Sequence, residues 1–139
     1  ETMGTAITAA ETGHLVLTTL HTNDAVQAMD RIIDTFPAHQ QGQVRSQLSF
    51  SLLGVISQRL IPRADGNGLT VAVEVMLNTT AVSHLIRDGK TTHLYTVMET
   101  NSKEGMTTMD QVLKAKALDG TIAFDEAKKR MRVPALLTK

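Results

Sequence analysis

Thr12-Gly13-His14-Leu15-Val16-Leu17-Thr18-Thr19-Leu20-His21-Thr22 is the stretch whose reading decides the fold. Leu15 to Leu20 is mainly apolar and rich in Val, Leu and Thr, with Gly13 before it and the polar Thr22-Asn23-Asp24 after it. A short apolar run without clean alternation, bounded in this way, predicts a strand buried on both faces of a parallel sheet. A helical segment is the competing reading, because periodicity alone does not separate the two. The flanks favour the strand. A helical pattern precedes it and another follows at once, which is the rhythm of an α/β domain. In open α/β sheets the ligand crevice lies beyond the carboxyl ends of the strands. His21 is expected at that end.

Working outward, Thr2 to Glu11 carries Met3, Ile7 and Ala10 at helical spacing, with Gly13 as its stop. After the strand, Thr22 or Asn23 is expected to cap a helix, with Asp24 in its first turn. Ala25, Val26, Met29, Ile32, Ile33 and Phe36 fall on one face of that helix, and Pro37 ends it. A longer helix is expected from Gln40 to Ser57, with Val44, Leu48, Leu52, Val55 and Ile56 as its stripe. Gly54 within it predicts a close approach by a neighbour. Arg59 to Arg63 and Leu69 to Met76 read as a hairpin closed by Asp65-Gly66-Asn67-Gly68, a turn that supplies positive φ angles. Val71, Val73 and Val75 alternate with Ala72, Glu74 and Met76, and Glu74 is expected to face outward. Beyond residue 77 the pattern is helical: Ala81 to Asp88, Thr92 to Glu99, Thr107 to Leu118 and Asp125 to Met131. Two units are expected, 1–77 and 78–139.

Composition narrows the function classes. Lys plus Arg and Asp plus Glu are both 14 in 139 residues, so no electrostatic footprint for nucleic acid or a polybasic membrane anchor is expected. The absence of cysteine excludes disulfides and thiolate metal sites, and fits a reducing compartment. Aromatics at 3% with no Trp argue against a stacking platform for single strands. No apolar run is long enough to span a bilayer. The start at Glu1 reads as a cut from something longer.

Candidate site residues are few. His14 and His21 bracket one strand seven residues apart and so point to opposite faces. They cannot share a metal from that strand, and no metal site is expected. His21, with Thr22 beside it, is suited to hydrogen-bond a phosphate or position a catalytic water; the plainer reading is a ring bonded to backbone at a strand end. Arg45, just off the apolar stripe, is the arginine best placed for a phosphate or subunit contact, since a guanidinium forks onto either phosphate or carboxylate. Arg31 and Arg63 read as solvated. No G-x-x-x-x-G-K-[ST] loop occurs, so the chain does not hold ATP phosphates and Mg²⁺ unaided.

Thr12 to Ala25 closely resembles the "His box" of the secretion ATPase superfamily, which drives type IV pili and type II secretion. The resemblance continues through Asp30 to Pro37, Gln43 to Ser49, Val55 to Leu60, Ala81 to Asp88 and Gly105 to Asp110. Within the superfamily the chain looks most like the retraction ATPases of twitching motility. The short Asp-Gly-Asn-Gly turn stands where extension and secretion members carry a four-cysteine zinc insertion. Ala81 to Asp88 is similar to the retraction motif A-I-R-N-L-I-R-E, departing at Val82, Ser83, His84 and Asp88. The resemblance implies the C-terminal part of a RecA-like ATPase domain, α/β, followed by a helical subdomain. It places the phosphate loop and the Walker B strand upstream of Glu1. It further implies a homohexameric ring with ATP and Mg²⁺ between subunits, at the cytoplasmic face of the inner membrane, acting on a pilus platform protein. His21, and less directly His14, then sense or position the γ-phosphate. An extension or secretion relative and a non-catalytic interaction domain are the alternatives, and the 139 residues alone are expected to be inactive.

Overall fold

The computed structural model describes residues 2–137, so the expectation attached to Glu1 lies outside the described residues. Seven α-helices and two strands are described: α1 Thr2–Glu11, α2 Ala25–Asp34, α3 Ala38–Ser51, β1 Gly54–Pro62, β2 Leu69–Leu77, α4 Thr80–Arg87, α5 Leu94–Thr100, α6 Met109–Leu118 and α7 Phe124–Arg130. The strands pair antiparallel in continuous register, from Gly54 opposite Leu77 to Pro62 opposite Leu69.

The hairpin organises two apolar clusters. Met76, at one end of β2, packs with Ile7 of α1 and with Met29, Val44, Val82 and Leu94 from α2 to α5. Ala72, further along, and Ile61 of β1 pack instead with Leu113 and Ala117 of α6, Ala127 of α7 and Leu137. Removal of these side chains from water is the main stabilising term, on the order of 1.5–3 kcal/mol for each fully buried large one. Helix α2 follows the pattern read from its sequence: Ala25, Val26, Met29, Ile32 and Ile33 are buried and Asp30, Arg31 and Asp34 exposed. Helix α4 likewise buries Val82 and Ile86 behind its Thr79 cap. Thr108 and Gln111 close a capping box on α6, each side chain bonding the other residue's backbone.

Three expectations change. Leu15 to Leu20 has no strand or helix, and Leu15 and Leu17 are 74% and 88% exposed. A strand exists through its ladder, and among the described residues none is hydrogen-bonded to this segment as a strand. Helix α3 ends at Ser51 rather than Ser57. Leu52 turns extended, with ψ 133°, and Gly54 to Ser57 enter β1. Leu52, just past the end of α3, and Val55 of β1 still pack on the first cluster, so their apolar spacing is satisfied without a continuing helix. Gly54 does admit a close neighbour: a Cβ there would lie 3.0 Å from the Met76 carbonyl oxygen. The third change concerns Glu74, which points inward and is 1% exposed.

Candidate functional site

The segment from Gly13 to Asp24 has no regular structure and is hydrogen-bonded at both ends, with Leu20 packed against the first cluster. Gly13, with φ +97°, ends α1 in a conformation that L side chains avoid. The next residue folds back: His14 Nδ1 lies 3.2 Å from the Ala9 carbonyl oxygen and 3.3 Å from Thr12 Oγ1. A carbonyl only accepts, so Nδ1 carries the proton and His14 serves as a closing bond for α1.

At the far end the helix cap is Asp24, not Thr22 or Asn23. Its Oδ1 accepts the Gln27 N–H at 2.8 Å, satisfying one of the donors that a helix N-terminus leaves open. Thr22 and Asn23 lie two and one residues too early for that geometry. Asp24 Oδ2 takes the Tyr95 hydroxyl at 2.8 Å. Burial, and this bond to a carboxylate, raise the Tyr95 pKa above its ordinary value of 10. The guanidinium of Arg132 stacks over the same ring, 3.8 Å from its centre.

His21 is exposed and Thr22 half-buried, and both line an open cleft with Gln27, Asp30, Arg31, Asp34 and Thr35 of the α2 region. The cleft therefore combines hydroxyl, imidazole and guanidinium donors with two carboxylates. Asp30 is already engaged, accepting the Thr91 hydroxyl at 2.8 Å. His14 and Arg45 do not line this cleft. Arg45 passes beside Gly89: a Cβ on that glycine would lie 3.4 Å from Arg45 Nε. Gly89, at φ +72°, follows the C-terminal turn of α4, where carbonyl ends favour a cation. Of the four sequence candidates, the structure thus brings His21 and Thr22 together and sets His14 and Arg45 elsewhere.

A second cavity, about 310 Å³, also reaches the α2 entry and is lined by Asp24, Glu74, Tyr95, Asp110 and Arg132 among others. Glu74 Oε1 accepts the Ala25 N–H at 2.7 Å and Oε2 the Met109 N–H at 2.8 Å. Burial pushes the Glu74 carboxyl above its ordinary 4.5, and the two N–H groups hold it back. Asp110, 7% exposed, accepts the Arg132 and Val133 N–H groups at 2.7 and 2.9 Å. Sequence reading missed both acids. The signal available for Glu74 was its position between Ala72 and Met76 on one strand face; the three valines opposite drew attention to the wrong side.

Among the described residues no group of three or more His, Asp or Glu is arranged to hold a metal ion, and no helix is long and apolar enough to cross a membrane.

Residues 1–68 match the family model described as "Type II/IV secretion system protein". The first half of the chain is thus similar to the type II/IV secretion family. The chain is 48% identical over 130 residues to a "Twitching motility protein" of Neisseria gonorrhoeae, covering 94% of this chain and 35% of that protein. It is 44% identical over 134 residues to the "Type IV pilus retractation ATPase PilT" of Pseudomonas aeruginosa, covering 96% of this chain and 39% of the relative. Among solved structures it resembles the "Pilus Retraction Motor PilT and Bound ADP", with a TM-score of 0.85 and 43% identity over 98% of this chain and 38% of that one. The chain thus spans a little over a third of the length of these relatives.

Proposed function

We propose that these residues work in an ATP-hydrolysing motor that retracts type IV pili, with His21 and Thr22 at the edge of the nucleotide site. The single observation that carries the reading is likeness along 98% of the chain, hairpin and helical half included, to an ADP-bound retraction motor. The short Asp65-Gly66-Asn67-Gly68 turn supports the retraction branch over a zinc-bearing relative.

The His21 cleft fits the margin of a phosphate site, not a whole one. His21, Thr22 and Arg31 offer donors to a triphosphate, while Asp30 and Asp34 repel it unless a divalent cation intervenes. Mg²⁺ would supply charge neutralisation between phosphate oxygens, as it does in phosphoryl transfer generally. His21 is exposed and donates a hydrogen bond to the γ-phosphate; Thr22 orients the same group. Lacking a phosphate loop, the 139 residues by themselves do not turn over ATP. Residues 1–77 complete a nucleotide-binding core and 78–139 form a helical subdomain. The parent protein is a homohexameric ring at the cytoplasmic face of the inner membrane, acting on the pilus platform, and it uses no nucleic acid.

The test is ATP hydrolysis and twitching by the full-length gene product that carries these residues. His21→Ala is expected to lower kcat by about 100-fold or more with little change in KM, the pattern for a group that stabilises developing charge. His14→Ala, which removes only a bond at the end of α1, should leave kcat within a few-fold. Equal activity of His21→Ala and wild type overturns the site assignment.

A further inference from the structure

The inner face of β2 presents Ala72, Glu74 and Met76 in alternation, and each meets a different environment. Ala72 belongs to the cluster with α6 and α7, Met76 to the cluster with α1 to α5, and Glu74 lies between the two. Its oxygens are divided between the first residue of α2 and the first residue of α6. A helix N-terminus combines open N–H groups with the positive end of the helix dipole. One carboxylate here is gripped by two such ends, from parts of the chain 49 and 35 residues away. Neither entry can shift without stretching a bond that the other shares. A buried carboxylate oxygen that loses its N–H donor is left unsatisfied, so breaking either bond is resisted.

We propose that Glu74 is a positioning residue that locks the entry of α2, and with it the His21–Asn23 segment, to the entry of α6, so that displacement at one is felt at the other. The functional consequence rests on the reading of His21 and Thr22 given above; the mechanical link does not. Each entry also has its own anchor. Asp24 ties α2 to Tyr95, and Asp110 ties α6 to the Arg132–Val133 backbone. The charged and titratable groups lining the cavity with Glu74 are Asp24 at the cap of α2, Tyr95 and Glu99 of α5, Asp110 of α6, Arg59 of β1, Lys129 and Arg130 of α7, and Arg132 beyond it. The negative charges of Asp24 and Asp110 reinforce burial in raising the Glu74 carboxyl.

The test is amide NMR of the ¹⁵N-labelled full-length protein that carries these residues, during a pH titration, which needs no substitution. The Ala25 and Met109 N–H resonances are expected to move together with one midpoint, with Thr22 and Asn23 following. Glu74→Gln should abolish that shared titration and speed hydrogen exchange at Ala25, Met109 or both by at least tenfold. Glu74→Asp, one methylene shorter, should hold one entry and release the other. Separate midpoints for Ala25 and Met109 in wild type, or Glu74→Gln with unchanged Thr22 and Asn23 shifts, overturn the proposal. In the full-length protein, Glu74→Gln is expected to lower kcat several-fold at constant KM, with Glu74→Asp recovering part of it. A harmless His21→Ala alongside a shared titration defeats the functional reading alone; a crippling His21→Ala alongside separate midpoints defeats the link alone.

Discussion

Leu15 to Leu20 and Leu69 to Leu77 make an instructive pair. Both are short, apolar and rich in β-branched or leucine side chains, and both read as strands. Only the second is one. Its partner is the strand just before it, paired from Pro62 opposite Leu69 to Gly54 opposite Leu77, and the hairpin closes its ladder locally. The first has no such partner in the described chain and stays without regular structure, its Leu15 and Leu17 side chains in solvent. The difference teaches that β-propensity describes fitness for a pleated surface, while the strand itself is a property of pairing.

Three substitutions break or sharpen that contrast. The largest effect is expected from Ile61→Ala, which empties a fully buried position of β1 and should cost about 2–5 kcal/mol in urea unfolding. Next is Gly68→Ala in the hairpin turn. Gly68 sits at φ +89° with open space where a Cβ would go, so the cost is backbone strain alone, about 1–2 kcal/mol by the same measurement. The smallest is Leu17→Ser, expected to change stability by less than about 0.5 kcal/mol because the side chain is 88% exposed. A cost for Leu17→Ser equal to that of Ile61→Ala would erase the contrast and place Leu15 to Leu20 in a paired strand.

The two faces of β2 extend the lesson. Three valines at 71, 73 and 75 look like the buried side, yet Val71 is 41% exposed while Ala72 and Met76 are wholly buried and Glu74 nearly so. Alternation shows that a strand has two faces; it does not say which one meets the core. A carboxylate on the inner face reads as an error until the N–H groups of Ala25 and Met109 arrive to satisfy it. Those donors lie far away in sequence, so no local pattern announces them. His21 and Thr22 were singled out for their hydrogen-bonding chemistry at the end of an apolar run, and both line one open cleft. Arg45 was not resolvable in that way, since its place beside Gly89 depends on how α3 crosses α4.

By itself, the sequence determined the amphipathic helices and their buried faces, the Asp-Gly-Asn-Gly turn and the resemblance to the secretion ATPases. Each depends on side chains within a few residues of one another, where spacing and capping chemistry act directly. Only the tertiary structure decided where α3 yields to β1, which face of β2 turns inward, that Leu15 to Leu20 goes unpaired, and that one carboxylate joins two helix entries. These are outcomes of competition among distant groups for the same hydrogen bonds and the same shelter from water, and a linear reading has no term for a competitor it cannot place.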